Sequence, residues 1–293
     1  MVALVKLHFP RFILLLFVIQ FLAPLLPGQV PFRILDRDVI DARLKGFSYK
    51  NPERESILED MFKLSGCSRD KFQKQIVRKR IPPNLICVVP GETDRVILVG
   101  AHSDHVAAGD GVADNWSGAS LLPSLMYSLT ATPRKHTLIF VAFTDEESGM
   151  SGSIFYAKQL TAEQRSKVDA MVNIDTLGLG PTKIWATHAD AGLVNLLSRV
   201  ADSMKLPLGV VNVDNVGSTD SESFAQYKIP RITVHSITQE TWNILHSHDD
   251  NLKAIKMDDY FTSYRLLIAY LAVLDIQPPR AVEETGPTPP QHH

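Results

Sequence analysis

The chain has 293 residues, room for two average domains or for one larger α/β domain flanked by tails. It carries 30 basic and 32 acidic residues, a formal net charge of -2, and no run of like charge longer than Arg78-Lys79-Arg80, so no electrostatic footprint for nucleic acid is present. Hydrophobic residues make up 45% and charged residues 21%, ordinary globular proportions that exclude a disordered or collagenous chain.

At the N-terminus, Lys6 and Arg11 precede an apolar run from Phe12 to Leu22, the basic region and short apolar region of an export signal. The run is short for a bilayer span, which needs about 20 residues. Pro24 to Pro27 crowd the place where a small-x-small cleavage site belongs. Residues 1–28 are therefore read as a signal peptide, or as an uncleaved anchor acting through residues 12–26, and the chain as exported or held at the membrane. Residues 277–293 are Pro-rich and poor in apolar anchors, which predicts a disordered tail. A single domain over residues 30–276 remains, since no repeat or Pro/Gly/Ser linker divides it.

Within that domain a helix is expected near 55–65 and a strand at 84–89. The runs 96–101 and 137–143 are continuous and β-branched, the pattern of strands covered on both faces. Between them, Leu121, Leu122, Leu125, Met126 and Leu129 recur at helical spacing after an Asp-Asn-Trp-Ser turn, which predicts a helix over 117–129 and a βαβ unit. Helices near 150–160, 190–204 and 257–274 alternate with strands at 168–174, 183–187, 208–213 and 231–235. That alternation means an α/β domain. Cys87 lies inside Leu85–Val89, where a small buried hydrophobe is the commoner role for a thiol, although export permits it to pair with Cys67.

Ligands of open α/β sheets bind beyond the carboxyl ends of the strands. Acidic and histidine residues collect there repeatedly: His102-Ser103-Asp104 after the first central strand, Asp114-Asn115 in the following loop, Asp145-Glu146-Glu147 after the second, Asp175 after the third, and His246-Ser247-His248-Asp249-Asp250 before the last helix. A single such residue is ordinarily a solvated loop residue or a capped core histidine. Five clusters at successive ends point to a metal, because carboxylates packed together repel unless cations sit among them. Imidazole and carboxylate suit zinc where no thiolate is available, and a bound metal can activate water and polarise a carbonyl. Neighbouring Glu146 and Glu147 diverge as they leave a strand, so one is expected to bind metal while the other moves protons.

These residues resemble metallopeptidase family twenty-eight, the exported dizinc aminopeptidases. The matching pieces are Gly100-Ala101-His102-Ser103-Asp104, Gly111 to Gly118, Glu146-Glu147-Ser148-Gly149 with Gly152-Ser153, Asn173-Ile174-Asp175, Asp220 with Phe224 and Ile229-Pro230, and His246 to Asp250, in the family's order across roughly 84 to 275. The resemblance implies a three-layer sandwich around a mixed, mainly parallel sheet, and two zinc ions acting on a peptide or protein substrate. It implies that His102 and Asp175 hold one zinc, Glu147 and His246 the other, and Asp114 bridges them. Glu146 is then the general base, and Asp104 orients His102.

Two departures stand out. Leu245 occupies the place where several members carry an aromatic hydroxyl that stabilises the oxyanion, and His248 offers a second candidate beside His246. The spacing His-x-x-x-Asp to Asp250 favours His246. His105, His188 and His235 match no metal position and are read as surface or supporting residues, and Asn115-Trp116-Ser117 as a chance glycosylation match. Trp242 is a candidate for a specificity pocket or for ordinary packing. A glutaminyl cyclase, using one zinc on the same fold, is the nearest alternative. Retention of both His102 and Asp175 favours the aminopeptidase over it, and the intact ligand set and base favour it over a non-catalytic ectodomain. An endopeptidase or carboxypeptidase of the same family is the remaining alternative, since pocket depth and the acidic groups around a free amino terminus, which motifs do not report, decide between them.

Overall fold

Three strands almost without exposed side chains build the centre of the molecule: β3 (Val96–His102), β4 (Thr137–Phe143) and β5 (Val168–Ile174). They pair in parallel, with β3 between the other two. The computed structural model describes residues 30–278 apart from Val216; the expected signal or anchor segment and nearly all of the Pro-rich tail lie outside the described residues. Around the central strands stand β1 (Phe72–Gln75), β2 (Asn84–Val89), β6 (Lys183–Ile184), β7 (Gly209–Val210) and β8 (Arg231–His235), in the order β1-β2-β4-β3-β5-β8-β6-β7. The β1/β2, β2/β4 and β6/β8 pairs are antiparallel and the rest parallel, so the sheet is mixed, as the resemblance implied.

Helices are α1 (Arg37–Lys45), α2 (Asn51–Leu64), α3 (Ser117–Ala119), α4 (Leu122–Leu129), α5 (Ser151–Gln159), α6 (Ala162–Lys167), α7 (Ala191–Met204) and α8 (Met257–Asp275). The chain leaves β3 through α4 to reach β4 on one side, then leaves β4 through α5 and α6 to reach β5 on the other. The ends of β3 and its neighbours thus form a switch point, the place where such sheets hold ligands. Helix α4 packs on β3, β4 and α8, whose Tyr260, Tyr264, Leu267 and Tyr270 are wholly buried. Leu98, Val141, Phe143, Met171 and Phe224 form part of the opposing core, under α5.

Several local departures have physical causes. The expected helix over 117–129 is interrupted between Ala119 and Leu122, and α4 restarts with Pro123 in its first turn, where the missing N–H costs nothing. The expected strands 183–187 and 208–213 shrink to two residues each, because the Asn212 side chain takes the Ala186 and Thr187 amides at 3.1 and 3.2 Å and ends the ladder. Cys87 is buried, but not as a free thiol: it is joined to Cys67, just past α2, in a disulfide that ties the helix layer to β2. Closing a loop of 20 residues lowers the entropy of the unfolded chain by an equivalent of about 3 kcal/mol. Helix α1, strand β1 and helix α6 were not anticipated from the sequence pattern.

Candidate metal centre

β3 ends at His102, whose ring is 2% exposed. Its Nδ1 lies 3.2 Å from the Asp104 carbonyl oxygen. A carbonyl only accepts, so the proton of a neutral ring belongs on Nδ1 and the Nε2 lone pair faces the cleft. That Nε2 is 3.1 Å from Asp114 Oδ1 and 3.5 Å from Asp175 Oδ1. On the far side, His246 Nε2 is 3.3 Å from Asp114 Oδ2 and 2.8 Å from Glu147 Oε2. The two oxygens of Asp114 therefore face the two histidines separately. His102, Asp114, Glu147, Asp175 and His246 all line one cavity of about 270 Å³, together with Glu146. His248 is exposed and makes no side-chain contact there.

Supporting groups fix these side chains. Asp250 accepts from the Ala113 and Asp114 amides at 2.7 and 3.2 Å, which gives the His-x-x-x-Asp spacing its purpose: the aspartate aims Asp114. Thr219 Oγ1 donates to Asp175 Oδ2 at 2.6 Å and itself accepts from Asn173 Nδ2 at 2.6 Å. The Asp104 carboxylate was expected to orient His102, yet it lies 3.8 Å from Nδ1. Its oxygens instead accept from the Glu146 and Glu147 amides at 3.1 and 3.3 Å, so the side chain positions the glutamate pair while the main chain orients the imidazole. Asn115 is wholly buried and donates to the Ile174 carbonyl at 2.8 Å, which leaves no room for a glycan. Backbones at Asp145, Thr176 and His246 adopt the left-handed region, a local cost of about 1 kcal/mol or more each that the surrounding contacts must hold.

Arg54 has no counterpart in the sequence reading. Its wholly buried guanidinium donates to the carbonyls of Ser48, Ser103, Asp110 and Gly111, stitching α2 to the segments that carry His102, Asp104 and Asp114. Burial pushes it down to about 10, partly offset by Asp250, Asp104 and Asp114. Of its two readings, surface or supporting, His235 takes the second: it is buried in the cavity wall, and burial pushes it down to about 4, so it is neutral. Trp242 is 47% exposed and is not part of the lining of the metal cavity; Trp185, Val213, Ile237 and Leu245 form its apolar wall instead.

The electrostatics call for a cation. Burial first, then Asp220, Asp175 and Asp114, push Glu146 up to about 10, while burial and Asp114 push Glu147 up to about 7. Hydrogen bonding to Asp114 and the charge of Glu147 push His246 up to about 9 against its burial. The metal-free chain thus gathers protons that a metal would displace. Glu147 Oε1 is buried without a hydrogen-bond partner, and ligand atoms of His102, Asp114 and Glu147 lie within 4.8 Å of one another. A donor set of imidazole and carboxylate, one oxygen unspent, fits a divalent metal such as zinc.

Comparison with known proteins places the chain in a family. The sequence profile described as Peptidase family M28 matches residues 84–271, well over half of the chain. Leucine aminopeptidase 2 of Trichophyton rubrum is 38% identical over 88 residues, 30% of this chain and 18% of that protein, so the chain spans under a fifth of that relative's length. The zinc aminopeptidase BSAP of Bacillus subtilis is similar in fold, with TM-score 0.61 and 20% identity over 67% of this chain and 51% of that one. An Acidobacteriales bacterium glutaminyl cyclase is similar with TM-score 0.69 and 16% identity over 85% and 97% of the two chains. With the ordered motifs, the switch-point cavity and the profile match in accord, the chain belongs to peptidase family M28.

Proposed function

We propose that the protein is a zinc-dependent aminopeptidase holding two ions, His102 and Asp175 on one, Glu147 and His246 on the other, with Asp114 between them. The observation that carries this reading is the placement of the two Asp114 oxygens, one toward each histidine. When bound, such metals make water nucleophilic near neutral pH and draw charge from the scissile carbonyl. Glu146 takes the proton from the attacking water and returns it to the leaving amine nitrogen; its raised affinity for a proton in a buried setting suits that exchange. Asp104 keeps Glu146 in place through its amide, and Asp250 keeps Asp114 in place. The apolar wall of Trp185, Val213, Ile237 and Leu245 receives the side chain of the first residue and keeps water from it. Export is part of the proposal: a Cys67–Cys87 disulfide belongs to an oxidising compartment, in keeping with residues 1–28.

A second reading is a glutaminyl cyclase, favoured by the near-complete coverage of the cyclase chain, 97%, against 51% of the aminopeptidase chain. Metal analysis and two assays separate them. Two zinc ions per chain with release of 4-nitroaniline from leucine 4-nitroanilide support the aminopeptidase. One zinc, with cyclisation of glutaminyl peptides and no amine release, overturns it. Cleavage of an amino-blocked peptide as fast as the free one would exclude the aminopeptidase specificity while leaving a peptidase.

A further inference from the structure

Strand β2 runs antiparallel to β4, so the β1–β2 hairpin loop, residues 76–83, stands at the same end of the sheet as Asp145-Glu146-Glu147. Asn84 at the base of the hairpin fastens it there: its Oδ1 accepts from the Thr144 amide at 3.0 Å and its Nδ2 donates to the Gly152 carbonyl at 3.0 Å. The loop carries Arg78-Lys79-Arg80, all exposed. Arg78 Nη2 lies 2.7 Å from Asp145 Oδ2, whereas Lys79 and Arg80 make no hydrogen bond or ion pair among the described residues.

Beneath this loop opens a second cavity, about 290 Å³, lined by Ile81 and Pro82 from the hairpin, Asp104 and His105 after β3, and Asp145 and Glu147 after β4. Glu147 lines both this cavity and the metal cavity. Lys79 and Arg80 are bracketed by the cavity's walls: Arg78, just before them, is paired with Asp145, and Ile81 and Pro82 follow directly. A peptide whose scissile bond lies beside Glu146 and Glu147, with its first side chain against Trp185 and Leu245, has this second space for the residues beyond the bond.

We propose that this cavity receives the leaving-group side of the substrate and that Lys79 and Arg80 select a carboxylate there. The carboxylate is an acidic side chain shortly after the scissile bond or the free C-terminus of a short peptide. The inference rests on the aminopeptidase reading and adds its substrate class. Lys79 and Arg80 do not themselves line the cavity, but directly precede its wall residues Ile81 and Pro82, and two exposed cations without counter-ions beside an otherwise acidic cleft attract an anion and repel a cation. At a water-exposed rim the attraction is on the order of a tenfold preference and is screened by salt.

The test uses zinc-loaded full-length protein, leucine 4-nitroanilide, and the amidated peptides Leu-X-Ala and Leu-Ala-X with X as Glu, Gln or Lys. Leu-Ala-Ala as free acid and as amide separates the two carboxylate sources. At low salt the expected order of kcat/KM is Glu over Gln over Lys, about tenfold between the extremes at the better position, narrowing at high salt. Preference for the free acid alone assigns the C-terminus as the source. The exposed double variant Lys79→Glu/Arg80→Glu should reverse the order, and Lys79→Ala/Arg80→Ala should flatten it. Equal values for all peptides with intact hydrolysis of the nitroanilide overturn this inference alone. No hydrolysis of any of these substrates overturns the aminopeptidase reading, and this inference falls with it.

Discussion

Two buried charge clusters occupy opposite ends of the same sheet. At the amino ends of the strands, Asp169 and Asp275 meet Arg95, Arg134 and His136: His136 Nε2 is 3.1 Å from Asp169, its Nδ1 3.4 Å from Asp275 Oδ1, and Arg95 and Arg134 close the remaining sides. At the carboxyl ends, Asp104, Asp114, Glu146, Glu147, Asp175, Asp220 and Asp250 face two histidines and Arg54, whose four hydrogen bonds go to main-chain carbonyls rather than to any carboxylate. The first cluster supplies its own cations and is complete. The second leaves an oxygen unpaired and holds protons on groups that ordinarily lose them. Buried charge in itself therefore marks nothing; buried charge with an unsettled balance marks where a cation belongs.

Glu146 offers the sharpest way to break this contrast, because it belongs to the second cluster without holding metal in the proposed arrangement. Glu146→Gln should lower kcat by about 100-fold to 10,000-fold with zinc content unchanged, read by steady-state assay and elemental analysis of the same preparation. Loss of zinc in that variant would place Glu146 among the ligands. Chelation comes next. Stripping the metal should lower stability by about 4 kcal/mol for each ion bound, relative to protein with free zinc at a thousand times that site's dissociation constant, followed by urea unfolding and restored by added zinc. Asp169→Asn at the opposite end should cost about 3 kcal/mol, since it leaves Arg95 and His136 without their shared partner, yet turnover per folded molecule should not change.

Asp250→Asn is a smaller perturbation with a specific readout. The amide keeps one acceptor for the Ala113 and Asp114 N–H groups and loses the charge, so zinc affinity should fall about 10-fold to 100-fold while the fold survives. A change in stability with unaltered zinc affinity would make Asp250 a loop brace only.

What the sequence made legible follows from how local each signal is. β3, β4 and β5 are unbroken apolar runs, and the polar residues immediately after them could be read as a site because a strand end is a place in the chain as well as in space. β1 was invisible because Phe72-Gln73-Lys74-Gln75 is an edge strand whose pairing, not its composition, makes it one. Arg54 could not be found because its partners are main-chain carbonyls, which every residue has. Trp185 displaced Trp242 as the pocket tryptophan because burial depends on the 211–214 segment folding back, where Asp214 takes the Trp185 indole N–H at 2.9 Å. The disulfide needed the end of α2 to meet β2, a contact no spacing announces.

His136 sharpens the comparison at its quiet end through pH. Burial alone would lower its proton affinity, but bonds to Asp169 and Asp275 override that and push it up to about 9, against an ordinary 6.5. A folded value above the unfolded one means that the protonated ring stabilises the fold fully below about pH 6.5, and that this contribution drains away as pH rises through about 9. The difference in unfolding free energy between wild type and His136→Gln should therefore be largest near pH 6 and shrink by pH 10, measured by urea denaturation at constant ionic strength with zinc saturating at each pH. Taking the difference between the two proteins cancels the titration of the metal cluster, which both retain. A gap independent of pH would mean that His136 is neutral in the fold, and the amino-end cluster would then lack one of the cations that set it apart from the other.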